Sequence, residues 1–288
     1  MKSPFFFGIL LFLIAACNKP SSPASPPLVI ADGIDSAELA QKVKEMTPEN
    51  HLDIMEYILG KPKYPVRSIG ILVYDGANDL DIMGPRYVLG QAMGVKTMLV
   101  GTRPGPVKTV MGIQIIPDTT IQQVSQLDIL IIPGGFKGTI EAAYDKKLHE
   151  WIRKIDKNTV FTGSVCTGGW ILGATGLLKG KRASGNWYRE EEFLKKYGAV
   201  PANERFTRDG KYWTSAGVTA GMDMSLAMIQ AIYGDRYAQA IMLDMEYDPH
   251  PPVEGGSPEK TGWGVYWLMR EMYDGGVMPL IDSLENQQ

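Results

Sequence analysis

The 288-residue chain is poor in the two side chains that most often carry metal-binding and nucleophilic chemistry. It contains three histidines and two cysteines. The histidines, at His51, His149 and His250, are scattered, which argues against a multi-histidine metal site and against a histidine-dependent mechanism. The formal charge is only −3, and no stretch concentrates lysine and arginine. We therefore expect no nucleic-acid partner.

The first cysteine, Cys17, ends an apolar leader. Lys2 is followed by an apolar run over 5–14, which is too short to span a bilayer as a permanent helix. Residues 1–16 are therefore predicted to be a signal peptide. The stretch Ile14-Ala15-Ala16-Cys17 resembles a bacterial lipobox, whose cysteine becomes the lipid-carrying first residue. An ordinary secretory signal is the alternative.

Residues 17–33 are rich in proline and serine, and such sequence favours an extended, solvated tether. Together with the lipobox, this tether predicts a protein held by lipid on Cys17 in the bacterial cell envelope. The periplasmic face of a membrane is expected, with the outer membrane as first choice. Cys166 is then the only other thiol, so it has no intramolecular disulfide partner.

The rest of the chain is predicted to alternate between strands and helices. Residues 34–65 are predicted to be a helical extension with one or two helices, 66–258 a catalytic domain, and 259–288 a second helical extension. Strands are predicted at 69–74, 97–100, 128–133, 159–162 and 212–215, helices at 85–93, 140–154, 167–174, 188–197 and 220–233, and a small hairpin at 107–116. This alternation predicts an α/β fold with a doubly wound, mostly parallel sheet flanked by helices. Functional groups are expected at the carboxyl ends of the strands.

Cys166 lies where a predicted strand turns into a predicted helix. Gly163, Gly168 and Gly169 allow the tight turn that a nucleophile elbow needs. A thiol at a helix N-terminus lies in a positive dipole field, which favours the thiolate and predicts a lowered pKa. The alternative is a buried cysteine that serves as a small hydrophobic side chain.

Two other segments end at the same edge of the predicted sheet. Gly134 and Gly135 follow a buried strand, and their N–H groups could join that of Thr167 in stabilising negative charge. A loop that needs positive φ is the simpler explanation of this pair. Asp81 lies among apolar residues, which predicts a raised pKa and a role in proton transfer. The alternative is a cap for the helix after Pro85, a role in which Asp79 or Asp81 would serve equally.

Five motifs occur in an order that resembles a known family. They are Leu80-Asp81-x-x-Gly84-Pro85, Ile132-Pro133-Gly134-Gly135, Ser164-Val165-Cys166-Thr167-Gly168, Leu177-Leu178-x-Gly180-x-Arg182-Ala183 and Ser215-Ala216-Gly217-Val218-Thr219-Ala220-Gly221-Met222-Asp223. With these motifs, residues 67–258 resemble the PfpI/ThiJ superfamily, and within it the isonitrile hydratase branch. The resemblance implies a flavodoxin-like fold of the class I glutamine amidotransferase type.

The resemblance also implies roles for individual residues. Cys166 would attack the terminal carbon of an isonitrile, R–N≡C, to give a thioimidate that water converts to an N-substituted formamide. Asp81 would handle protons, and Thr167 would assist beside the sulfur. Substrate or developing negative charge would be bound by the backbone at Gly134, Gly135 and Gly168. The resemblance implies no metal and no organic cofactor, a small-molecule substrate, and a homodimer.

Two differences between this chain and other members of the superfamily argue against particular functions. Protease-like members carry a histidine directly after the cysteine, where this chain has Thr167, and His149 lies in a lysine-rich stretch predicted to be solvated. A Cys-His protease is therefore not expected. Related regulators add a helix-turn-helix domain, but residues 261–270 are too few and not basic enough for one. They predict an amphipathic helix that closes over the core or over a dimer partner.

Two alternatives to a hydratase stay open at this point. Glyoxalase-like or deglycase-like carbonyl chemistry would also suit a thiolate beside an acid. A lipid-anchored binding or redox-sensing domain, in which Cys166 is simply oxidised, would need no catalysis at all.

Overall fold

The computed structural model describes residues 34–287, so Cys17, the predicted signal peptide 1–16 and the tether 17–33 lie outside the described residues. The described part of the chain divides into two compact units, with the boundary between Glu45 and Met46. The first contains helix α1 (Ser36–Lys44), whose first turn is capped by Asp35. Helix α2 (His51–Leu59) belongs to the second unit, so the predicted extension 34–65 spans the boundary between the two.

A seven-stranded sheet forms the centre of the second unit. Its strands are β1 (Ser68–Val73), β2 (Lys96–Gly101), β5 (Thr119–Thr120), β6 (Ile129–Ile132), β7 (Phe161–Val165), β10 (Phe206–Asp209) and β11 (Tyr212–Ser215). Their order is β10-β11-β7-β6-β1-β2-β5, and only β10 runs antiparallel to its neighbour. Two small pairs stand apart from this sheet: the antiparallel β3 (Val107–Lys108) with β4 (Gln114–Ile115), and the parallel β8 (Arg182–Ala183) with β9 (Val200–Pro201).

Helices cover both faces of the sheet. They are α3 (Asp79–Gly90), α4 (Lys137–Ala142), α5 (Lys146–Asp156), α6 (Gly168–Ala174), α7 (Glu190–Lys196), α8 (Ala220–Tyr233), α9 (Asp235–Asp244) and α10 (Trp263–Glu285), with a 3-10 turn at Pro258–Lys260. Helix α3 packs on α8 and α8 on α9, whereas α6 packs on α4, α5 and α7. The central strands β1, β6 and β7 are almost entirely buried, as expected for parallel strands covered by helices on both faces. The predicted doubly wound, mostly parallel α/β fold is confirmed.

The register of the strands brings four connections to one edge of the sheet. Ile71 of β1 lies beside Ile131 of β6, Ile132 beside Ser164 of β7, and Val165 beside Ser215 of β11. The chain leaves each of these parallel strands at its carboxyl end, so the segments that follow them lie side by side. This is the edge at which open α/β sheets bind ligands.

Helix α3 begins earlier than the sequence predicts. A start at Pro85 was expected, but α3 begins at Asp79 and carries Pro85 in its interior. The cap is Asn78, whose side-chain oxygen accepts from the amides of Leu80 and Asp81. The missing N–H of Pro85 removes one internal bond without ending the helix. The alternative of Asp81 as a cap is therefore wrong, and its side chain is free for another role.

The predicted helix 140–154 is two helices, and the prediction for His149 is wrong. The chain breaks between α4 and α5, and Asp145 caps the second helix through the amides of Lys147 and Leu148. His149 is buried rather than solvated, and its Nε2 lies 3.1 Å from the carbonyl oxygen of Ala142. Burial lowers the pKa of His149, which favours the neutral ring.

The last helix, α10, is exposed over its first half and packed over its second. Trp263, Trp267 and Leu268 are exposed, whereas Val277 and Ile281 are buried. Helix α10 lies within the segment 259–288 that was predicted to be a helical extension. Within residues 34–287, no helix combines the length and apolar character needed to cross a membrane.

Candidate active site

Cys166 occupies the turn between β7 and α6. Its backbone is left-handed, with φ of 59°, and its amide donates to the carbonyl oxygens of Ser215 and Ala216 at the end of β11. Thr167 then precedes Gly168, the first residue of α6. This strand–turn–helix geometry is that of a nucleophile elbow. The residue is nevertheless only 6% exposed, so its sulfur is largely shielded from solvent.

Asp81 reaches the same place from the first turn of α3. It is fully buried, and its Oδ2 accepts a hydrogen bond of 3.0 Å from the amide of Gly134. Its Oδ1 has no regular hydrogen-bond partner among the described residues. Burial raises the pKa of Asp81 to about 7, although the Gly134 amide and the Cys166 thiol hold it lower than burial alone would. The predicted rise in pKa is confirmed in direction.

The pKa of Cys166 is shifted in the direction opposite to the one expected. The sequence predicts a lowered value, but burial and then the charge of Asp81 raise it. The amides of Thr167 and Val218 and the side chain of Asn186 act the other way without cancelling these two effects. The helix N-terminus is therefore outweighed by desolvation, and the resting sulfur is a thiol.

The amides of Gly134 and Gly135 are already engaged, so the expectation of two free amides is wrong. The Gly134 amide bonds to Asp81, and the Gly135 amide donates to Thr167 Oγ1 at 3.0 Å. Thr167 Oγ1 donates in turn to the Gly135 carbonyl at 2.9 Å, which clasps the loop after β6 to the elbow. A Cβ at Gly134 would lie 2.6 Å from Thr167 Oγ1 and 2.8 Å from the amide nitrogen of Gly168. Glycine is needed at 134 for this close approach.

Asn186 is the residue that the sequence analysis missed. Its Nδ2 donates to the sulfur of Cys166 at 3.1 Å, and its Oδ1 accepts from the amide of Tyr188 at 2.9 Å. The second bond fixes which end of the amide faces the sulfur. Asn186 lies 20 positions beyond Cys166 in an irregular segment after β8, where no sequence pattern singles it out.

A cavity of about 220 Å³ opens beside the elbow. It is lined by Asn78, Val110, Gly135, Phe136, Met272 and Tyr273. Burial, and then the charges that Cys166 and Asp81 carry when ionised, raise the pKa of Tyr273. A larger and more open groove of about 510 Å³ has none of the predicted site residues in its lining. The smaller cavity is therefore the candidate substrate site.

The described residues 34–287 contain no cluster of three or more His, Cys, Asp or Glu side chains that could hold a metal ion. The groups within reach of the Cys166 sulfur are a carboxyl, an amide side chain and backbone amides. A carboxyl with a pKa near 7 beside a buried thiol can accept its proton and return it at a later step. The arrangement is suited to covalent chemistry on an uncharged electrophile.

Comparison with known proteins agrees with this geometry. The sequence pattern of the DJ-1/PfpI family matches residues 67–231, which is more than half of the chain. The chain belongs to the DJ-1/PfpI family. The resemblance predicted from the five motifs is thereby confirmed, and the match includes Asp81, Gly134, Cys166 and Asn186.

Individual members of the family are similar over most of their length. The chain is 38% identical to an isonitrile hydratase from Pseudomonas putida over 192 residues, which cover 67% of this chain and 83% of that protein. A crystal structure of a ThiJ/PfpI family protein from Pseudomonas syringae superimposes with a TM-score of 0.73 at 33% identity, covering 83% of this chain and 95% of the other. Drosophila melanogaster DJ-1beta, at 21% identity and a TM-score of 0.57, shares the fold over 63% of this chain and 98% of its own.

Proposed function

We propose that this DJ-1/PfpI protein is a cysteine-dependent hydratase of isonitriles. The observation that carries the proposal is the setting of the Cys166 sulfur, which lies on an elbow between an acid of raised pKa and an amide donor. The similarity to an isonitrile hydratase supports the same chemistry. Because isonitriles are neutral and narrow at their reacting carbon, they suit a buried thiol.

In the proposed first half-reaction, the carboxylate of Asp81 takes the proton of the Cys166 thiol. The resulting thiolate forms an S–C bond to the terminal carbon of R–N≡C, and Asp81 returns the proton to that carbon. The product is a thioimidate, R–N=CH–S, on Cys166. The Asn186 Nδ2 donor stabilises the thiolate while it exists, because hydrogen bonds to a charged group are stronger than those to a neutral one.

In the second half-reaction, Asp81 takes a proton from water, and the oxygen of the water bonds to the thioimidate carbon. Asp81 passes this proton to the nitrogen, the C–S bond breaks as the C=O bond forms, and the hydroxyl proton goes to the thiolate. One isonitrile and one water thus give R–NH–CHO and the starting enzyme. Thr167 holds the loop of Gly134 and Gly135 against the elbow, and so positions the amide that orients Asp81.

The alternatives predict other properties for the thiol. A redox sensor needs an exposed thiol of low pKa, whereas Cys166 is buried and its pKa is raised. No feature of the cavity favours a glyoxal-type carbonyl, and that chemistry is retained as the second arm of the test.

The test is turnover by the full chain of cyclohexyl isocyanide and methylglyoxal, measured in parallel. We expect the wild type to convert cyclohexyl isocyanide into N-cyclohexylformamide. Cys166→Ala, which keeps a small side chain at the elbow, should lose this activity. Turnover of methylglyoxal alone would move the protein to carbonyl chemistry. Failure with both substrates, together with rapid formation of a sulfinic acid at Cys166, would favour the sensor.

We also propose that lipid on Cys17 anchors the enzyme at the periplasmic face of a bacterial membrane and that the enzyme is a homodimer. Both rest on the sequence and the family resemblance, and Cys17 lies outside the described residues. The mass of the mature N-terminal peptide tests the first, and light scattering of the purified protein tests the second.

A further inference from the structure

Part of the wall of the candidate cavity comes from α10, a helix beyond the residues matched by the family. Tyr273 packs against three aromatic rings, with centroid distances of 5.5 Å to Phe136, 5.3 Å to Trp187 and 5.0 Å to Tyr188. One turn on, a Cβ at Gly276 would lie 2.6 Å from the ring of Phe136. Glycine at 276 therefore lets α10 pack directly on Phe136, which also lines the cavity.

Polar contacts fix the rotation of α10 about its axis. Asp274, next to Tyr273, accepts from the Tyr188 hydroxyl at 2.6 Å and from Arg189 Nε at 2.8 Å. Tyr188 itself is fully buried and is the residue whose amide holds Asn186. Helix α10, which carries Met272 and Tyr273 at the cavity, is thus tied by hydrogen bonds to the segment that holds Asn186.

The side chains around the cavity are uncharged. Val110, Phe136 and Met272 are apolar, and the side-chain oxygen of Asn78 is occupied as the cap of α3. The raised pKa of Tyr273 keeps its hydroxyl protonated at neutral pH. An anionic or cationic substituent placed here would lose hydration without gaining an ionic partner, whereas an apolar one would bury surface.

We propose that Met272 and Tyr273 of α10 are specificity-determining residues that select substrates with a neutral, apolar substituent. This inference rests on the proposed function for the identity of the reacting group. It assigns the substituent end of the substrate to α10, and the reacting carbon to Cys166.

The test introduces charge into the wall and compares matched probes. Iodoacetamide and iodoacetate are similar in size and differ in charge, and their rates of alkylation at Cys166 are read by peptide mass spectrometry on the full chain. In the wild type, the ratio of the alkylation rate with iodoacetamide to that with iodoacetate is expected to exceed the same ratio for free cysteine. Met272→Lys is expected to lower that ratio by about threefold to tenfold, because a cation near the approach attracts the anionic reagent.

Val265→Lys is the matched control. Val265 is 59% exposed and Met272 is 62% exposed, and the two lie two helical turns apart, about 10 Å along the axis. At about 0.1 M salt this separation is comparable to the Debye length, so the control is expected to shift the ratio by less than Met272→Lys does. An equal shift in both variants, or none in Met272→Lys, would overturn the role of α10.

The second readout uses the proposed substrates. The ratio of kcat/KM for cyclohexyl isocyanide to that for isocyanoacetate is expected to fall more in Met272→Lys than in Val265→Lys. If neither isonitrile is turned over, the proposed function is wrong, while the alkylation ratio still decides whether α10 selects by charge. If isonitriles are turned over with an unchanged ratio, the selection by α10 is wrong and the hydratase proposal stands.

Discussion

Two segments that are far apart in the sequence reach the sulfur of Cys166, and they bring different chemistry. The first turn of α3 brings Asp81, a fully buried acid whose protonation changes near neutral pH. The segment after β8 brings Asn186, a buried amide whose charge is zero at every pH. The charge of Asp81 raises the pKa of Cys166, and the donor of Asn186 lowers it. We therefore assign proton transfer to Asp81 and stabilisation of the thiolate to Asn186.

The largest effect is expected from Asp81→Asn, which keeps the shape of the side chain and removes its proton chemistry. We expect kcat/KM to fall by about 10²-fold to 10⁴-fold. In the wild type, kcat/KM should rise with pH through about 7, because Asp81 accepts the thiol proton only after losing its own. The rise near pH 7 should be absent from the variant.

The pH dependence of alkylation at Cys166 provides the control for that variant. Removing the charge of Asp81 should move the thiol titration to lower pH, since this charge raises the pKa of Cys166. A titration that moves to higher pH, or a rate profile that keeps its limb near pH 7, would contradict the role given to Asp81.

A smaller loss is expected from Asn186→Ala. Loss of a donor to a charged sulfur should lower kcat/KM by about tenfold to a hundredfold. The thiol titration should move to higher pH, opposite to the shift in Asp81→Asn. The exposed Asn158→Ala serves as the matched substitution and should leave both quantities unchanged. Shifts of the same sign in Asn186→Ala and Asp81→Asn would mean that the two segments do not act separately.

The smallest effect is expected from Asp274→Ala, which weakens the support behind Asn186. The Tyr188 hydroxyl and Arg189 lose their shared acceptor, and the segment that orients Asn186 becomes less restrained. We expect a fall in kcat/KM of about twofold to fivefold, since partly exposed ion pairs contribute little. Glu192→Ala removes the other, more exposed partner of Arg189 and is the control. A loss larger than that of Asn186→Ala would place the main role of Asp274 elsewhere.

Strands β1, β2 and β6 were predictable because each is a short apolar run bounded by turn residues, whereas β7, with Gly163 and Ser164 inside it, was predicted to end at 162 and ends at Val165. β1, β6, β11 and the long helix α8 lie within a few residues of their predicted positions. The edge strand β10, with the sequence Phe-Thr-Arg-Asp, was not predicted, because its residues are mostly polar and only pairing with β11 makes it a strand. The predicted start of α3 at Pro85 was too late, because a proline is favoured at helix starts but is also tolerated inside a helix supported by tertiary packing.

Only the site residues that are marked by a local sequence pattern were predictable. The elbow of Cys166 is local, and Asp81 was visible as an acid among apolar residues. Asn186 could not be found, because its contact with the sulfur is made by folding alone. The sign of the thiol pKa shift was missed for the same reason: the helix N-terminus is visible in the sequence, whereas the depth of burial depends on the whole fold.

The backbone of Cys166 is left-handed, a conformation that side chains other than hydrogen disfavour. A side chain in this conformation costs about 1–2 kcal/mol relative to glycine, which adopts it freely. The backbone conformation alone thus favours glycine at this position. The chain carries this cost at the residue that supplies the thiol, as is common at functional sites.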